Sequence, residues 1–159
     1  MYTSRALDIF LPPLASIKEE DKPLWGKMTS QHMLEHLVNT MRYSTGGTPT
    51  KVIAEERHLP LMRRILFSDR PLPHNLGNPV ADGKMPILKY PSIEAAHSEL
   101  LCGIDEFYQF FEKEPTAMFP HPHFGVLNFG EWERFHYKHF THHCNQFGVR
   151  IPTRTGDMP

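Results

Sequence analysis

Apolar residues recur at helical spacing in four stretches of the chain, with polar residues filling the positions between them. Thr29 is placed to N-cap a helix over residues 30–43 that stops at Gly46-Gly47. Its apolar face carries Met33, Leu34, Leu37 and Met41, and its opposite, polar stripe carries His32, Glu35, Asn39 and Tyr43. His36 falls between the two, beside Met33 and Thr40, the position most inclined toward an interior. A second pattern covers residues 50–67 through Val52, Ile53, Leu61, Met62, Ile65 and Leu66, interrupted or restarted at Pro60. Arg57, Arg63 and Arg64 lie on its polar side and read as solvated. A third helix begins at Ser92 and runs to about Glu112, with Ile93, Ala96, Leu100, Ile104, Phe107, Tyr108 and Phe111 as core positions and His97 as a structural residue at the margin. The fourth spans Asn128 to Gly148, where Asn128 and Glu131 have the spacing of a capping box.

The connecting stretches are rich in breakers. Residues 4–18 hold a weak helical pattern (Leu7, Phe10, Leu11, Leu14, Ile17) that Pro12-Pro13 should kink or stop. One short turn and then irregular chain is expected there, with residues 1–27 peripheral. Between Ser68 and Pro91 the prolines at 71, 73, 79 and 86 and the glycines at 77 and 83 leave no room for a regular element. A loop of that length in a compact domain suits a functional cover. Residues 115–127 form another proline-punctuated loop, with His121 and His123 read as mostly solvated, and residues 149–159 are a patternless, peripheral tail. No strand pattern competes. The expectation is a single all-α domain over residues 1–159: an antiparallel, up-down-up-down four-helix bundle under a long proline-rich loop.

With 159 residues there is enough chain for one proper core. Seventeen basic residues against eighteen acidic ones create no field to recruit nucleic acid or an anionic membrane. No stretch approaches the roughly 20 apolar residues that span a bilayer, and the N-terminus lacks the apolar core of a signal peptide. Two cysteines, Cys102 and Cys144, are too few for a disulfide framework. A cytoplasmic protein is expected.

Eleven histidines change the picture more than the charge does. At about 100° per residue, Trp132, His136, His139, His143 and Gln146 share a stripe about 80° wide, with His142 on its flank. His139 and His143 stand one helical turn apart, the spacing at which two imidazoles can reach one metal ion. An open site takes three protein ligands, and His36 is the inward-leaning histidine of another helix, so His36, His139 and His143 form the economical trio. Glu35, Tyr43 and Gln146 are candidates to support them. The competing reading is a hydrogen-bonded polar layer without metal. Cys144 points about 100° from His143 and reads as a buried, inert thiol.

Two motifs carry a family resemblance. The run HFTHHCNQ at residues 139–146 resembles the H-x-x-x-H-R-G-Q signature that closes the DinB/YfiT-like superfamily of four-helix bundles, and WGKMTSQHMLEHL at residues 25–37 is similar to the setting of its earlier histidine ligand. The resemblance covers about residues 25–148. It departs in having Cys144-Asn145 where Arg-Gly is common, in the proline-broken first element and in the long loop. An uncharacterised bacterial subgroup with WGKM and H-H-x-x-Q-F-G is a closer match. The resemblance implies His36, His139 and His143 as ligands of a divalent metal; for an all-imidazole set zinc or nickel is expected first, with iron or manganese as further options. It also implies a homodimer and a thiol or other small-molecule substrate. The expected activity is metal-dependent thiol transfer or small-molecule hydrolysis. The alternatives are a non-catalytic metal- or ligand-binding, stress-associated module, and a plain helical interaction protein.

Overall fold

The structure is a computed structural model that describes residues 5–74 and 84–152. Its described part is mostly helical: α1 (Leu11–Ala15), α2 (Ser30–Ser44), α3 (Leu59–Phe67), α4 (Ile93–Lys113) and α5 (Phe129–Gln146). The long helices begin where local chemistry caps them. The Thr29 hydroxyl accepts from His32 N, Ser92 from Ala95 N, and Asn128 and Glu131 complete the reciprocal capping box. Pro60 lies in the first turn of α3, where a missing N–H costs nothing, so the second pattern starts late, after a 3-10 turn at Glu56–His58. α2 packs on α4, and α5 packs on α2 and α3. Among the described residues, no helix is long and apolar enough to cross a membrane.

Three expectations need correction. First, residues 119–127 are not plain loop. Phe119–His121 (β1) and Gly125–Leu127 (β2) pair antiparallel, with His121 opposite Gly125, and Trp132 Nε1 donates to Phe119 O at 3.2 Å. Gly125 closes the turn at φ +89°, a conformation that favours glycine. Second, the N-terminal segment is not peripheral. Leu7 and Phe10 in a 3-10 turn (Ala6–Phe10), with Leu14 and Ile17 after it, are buried in the core. The proline pair sits at the start of α1 and does not break that burial. Leu7 N donates to Tyr108 Oη and Tyr108 Oη to Glu133, while His97 Nε2 reaches Ile17 O at 3.2 Å, which keeps His97 structural. Val149 and Ile151 of the tail also pack against the core, while residues 153–159 lie outside the described part. Third, Arg63 is not merely solvated; it pairs with Glu131 at the mouth of α5.

The proline-rich loop is irregular where it is described, and residues 75–83 fall outside the description. Each described flank is fastened to α2 or α5. At the C-terminus of α3, Arg134 donates to Leu66 O and Phe67 O (both 2.7 Å) and Lys138 to Ser68 O (2.6 Å) and Arg70 O. Two cations therefore meet the carbonyl-rich, negative end of α3. At the other flank, the Glu35 carboxylate accepts from Lys89 N (2.9 Å) and Tyr90 N (3.1 Å), and His32 Nε2 donates to Pro86 O at 2.8 Å. His32 and Glu35 of the polar stripe thus face the returning loop. Burial opposes the Glu35 charge, but the Lys89 and Tyr90 N–H groups and Gln31 outweigh it and hold its carboxyl below the usual value.

Phe10 is fully buried, with its ring edge-on to Tyr137 (5.1 Å) and Phe140 (5.5 Å). Phe10→Ala should therefore cost about 3–5 kcal/mol of unfolding free energy by urea titration. A loss under about 1 kcal/mol would contradict the N-terminal segment's place in the core.

Candidate metal centre

α2 and α5 bring three imidazoles to one point. His36 Nε2 lies 2.9 Å from His139 Nε2, and His143 Nε2 lies 3.0 Å from the same atom. One ligand atom from each of the three falls within 4.8 Å of the others. His139 and His143 are buried and His36 is half-buried, opening onto a cavity of about 250 Å³. Residues 36, 139 and 143, singled out in the sequence, are brought together.

Hydrogen bonding constrains the protons. Gln146 Nε2 donates to Trp25 O at 3.0 Å, so its Oε1 faces His143 Nδ1, 2.7 Å away, and accepts that proton. Gly26, at φ +78°, permits this approach, because a Cβ there would sit 3.0 Å from Gln146 Nε2. With its proton on Nδ1, neutral His143 turns the lone pair of Nε2 toward His139. His139 Nε2 has one hydrogen or one lone pair, and neither can serve two neighbouring nitrogens with good geometry. A cation accepting a lone pair from each ring removes the conflict. Two of the separations are 2.9 and 3.0 Å and all three nitrogens lie within 4.8 Å of one another, so three imidazoles could share one ion. The donor set fits.

Burial keeps the rings uncharged. It lowers His36 to about 4, helped by His142, and it takes His139 and His143 well below the ordinary value, with the charge of His143 and His36 adding to the effect on His139 and that of His36 and His142 to the effect on His143. Neutral imidazoles present their lone pairs without first releasing protons.

The other candidates take different places. Glu35 anchors the loop and does not support a ligand; Gln146 does, and Tyr43 lines the cavity. Trp25 stacks on His74 (3.9 Å, 6° between planes), and both meet His142 edge-on at 5.7 Å, so the loop's first flank roofs the cavity. Cys144 is buried, and burial pushes its thiol up to about 12. His121 and His123 are not simply solvated: both line the cavity, and His121 is only 5% exposed. A loop histidine carries no periodic signal, which is why pattern alone reads His121 as mostly solvated.

The geometry now has a family context. The chain belongs to the DUF1569 family. That family is described as a protein of unknown function, and its profile matches residues 3–150, which include all three histidines of the trio. No curated protein and no solved structure matches the chain.

His136 completes the histidine stripe on a different footing. It is fully buried between Trp132 (stacked, 5.5 Å) and Phe107 (edge-on, 5.2 Å), and neither ring nitrogen has a partner. Burial lowers it to about 3 from an ordinary 6.5. The unfolded chain therefore binds the extra proton between these values. The stability tied to neutral His136 is complete above about 6.5 and is withdrawn as pH falls toward 3, with a slope of up to about 1.4 kcal/mol per pH unit. In chelator, His136→Phe should be more stable by about 1 kcal/mol at pH 7, since it removes an unsatisfied buried polar group. It should also lose stability less steeply than wild type as the solution is acidified. Parallel pH profiles for the two proteins would rule this out.

Proposed function

We propose that this chain is a three-histidine divalent-metal protein, with His36, His139 and His143 as the ligands and the adjoining cavity as the seat of a small-molecule or thiol substrate. The observation that supports it is the convergence of three neutral Nε2 atoms, 2.9 and 3.0 Å apart along the set, at the edge of a cavity. All-imidazole coordination suits zinc or nickel, and three protein ligands leave part of the shell for a ligand atom. A bound ion would supply Lewis acidity, favouring the ionised form of a thiol or water presented to it.

The chain's own side chains do the rest. Gln146 sets the tautomer and direction of His143 through its bond to Trp25 O. Phe135 stacks on His139 (5.1 Å, 27°) and holds that ring flat against an apolar wall. Trp25, Met28 and Leu72 add apolar surface to the cavity's lining. On this reading the activity is metal-dependent thiol transfer or hydrolysis of a small substrate, on an up-down-up-down bundle. The alternative reading is a non-catalytic metal- or ligand-binding module, in which the same trio holds an ion and the cavity a small ligand.

Elemental analysis of protein made without a histidine tag should find about one divalent ion per chain in wild type and almost none in His139→Ala/His143→Ala. Equal metal in both would remove the assignment. Chelation should lower the melting temperature of wild type and leave that of the double variant unmoved. Panels of thiols with electrophiles, and of esters and amides, then separate the two enzymatic readings; silence in all of them with metal retained leaves the binding module.

A further inference from the structure

The cavity has a second polar point, built by the β1–β2 turn. His121 Nδ1 accepts from two backbone N–H groups, His123 N at 3.0 Å and Phe124 N at 3.3 Å. A nitrogen that accepts from the backbone carries no proton, so the proton of neutral His121 sits on Nε2. The side chain is almost wholly enclosed, yet Nε2 does not belong with the buried, unpartnered nitrogens of His136 and His139. With His121 among the cavity-lining residues, its Nε2–H borders that space.

The ring is held from several sides. It meets Phe135 edge-on at 4.2 Å, with Phe124 at 4.9 Å and Trp132 at 5.3 Å, while Pro122 O accepts from Ile53 N (2.8 Å) and Ala54 N (2.9 Å) and fixes the turn itself. Phe135 in turn stacks on His139. One aromatic side chain therefore separates the His121 donor from the histidine trio. Two neighbouring polar groups are already committed, the Thr40 hydroxyl to His36 O at 2.9 Å and Gln146 to His143 and Trp25, while Tyr43, Thr50, His74 and His142 also line the cavity. Among the described residues no Asp, Glu, Lys or Arg lines the cavity, so nothing there would pair with a formal charge on the body of a ligand.

We propose that His121 is a specificity-determining hydrogen-bond donor, and that the cavity takes a small, uncharged-bodied ligand gripped at two points. One end offers a donor atom to the metal held by His36, His139 and His143; the other offers a neutral acceptor, such as an amide or ketone oxygen, to His121 Nε2–H. This rests on the metal-site reading above. It adds a class of ligand: bifunctional, with an apolar middle lying along Phe135. Burial lowers His121 well below its ordinary value, ahead of the charges of His123 and His136, so the donor stays neutral and keeps its two backbone bonds at physiological pH. A buried, correctly placed donor discriminates sharply against a ligand with no acceptor, because the unmade bond leaves a desolvated N–H unpaired.

The test uses zinc-loaded full-length protein with metal content verified, and two thiol probes: N-(2-mercaptoethyl)acetamide, which carries an amide oxygen, and hexane-1-thiol, which carries none. His121→Asn places Oδ1 near the Nδ1 position and can still accept from the turn, but it removes the donor; His121→Gln restores an N–H near the Nε2 position. The expected result by titration calorimetry is about a tenfold loss of affinity for the amide probe in His121→Asn, unchanged affinity for hexane-1-thiol, and partial recovery in His121→Gln. Equal weakening of both probes, no weakening of either, or no binding of either to zinc-loaded wild type overturns the two-point grip while the metal site stands. Wild type that takes up no zinc overturns the metal reading and the grip with it.

Discussion

Everything in this fold answers to the need to settle imidazole nitrogens inside an apolar interior. A buried neutral histidine has one donor and one acceptor to place, and each one left alone costs on the order of 1–3 kcal/mol. The chain meets that demand in different ways for different rings. His143 is satisfied on one side by Gln146, and His121 by the backbone of its own turn. His36, His139 and His143 share a demand that hydrogen bonds among themselves cannot meet, in an arrangement that could hold a metal ion. His136 is left unsatisfied in its aromatic cage. Around these rings the helices, the hairpin and the loop flanks are arranged to exclude water and hold the directions of a few atoms.

Several parts of this were legible in the sequence because they depend on neighbours in the chain. The Asn128–Glu131 capping box, the Thr29 cap and the apolar repeat of α4 are local, and they put three long helices close to their observed limits. The trio was legible too: the His139–His143 spacing is set by helix geometry alone, and His36 stood out as the inward-leaning histidine of α2. Features that depend on contacts between distant segments were not. Strands of three residues carry no alternation to read, and Pro120 and Pro122 spoke against a hairpin that needs only a short ladder and Gly125. Phe10 and Leu7 looked peripheral because two prolines followed them, although a helix start accommodates proline. The loop's anchors at Lys89 and Tyr90 are backbone N–H groups, identical in every non-proline residue, so no side chain marked them.

The loop flanks also explain how an irregular segment contributes to an ordered pocket. Arg134 and Lys138 on α5 hold carbonyls at the end of α3, and Glu35 on α2 holds the returning chain, so both attachments are made by the helices that carry the trio. Leu72 and His74 are thereby delivered to the rim of the cavity, with His74 stacked on Trp25. Rim and base are parts of one frame. Any shift of α2 against α5 moves the ligand atoms and the roof together.

The bond between Gln146 and Trp25 carries a consequence for a residue that has no side chain at all. Gly26 turns left-handed and leaves the room through which the Gln146 amide reaches the backbone. That amide decides which nitrogen of His143 bears hydrogen. Proton placement on an imidazole at the C-terminal end of the chain is therefore governed by a missing methyl group near its beginning. Residue 26 shapes the histidine cluster as much as any of its rings does, although it would never be found by looking for donor atoms.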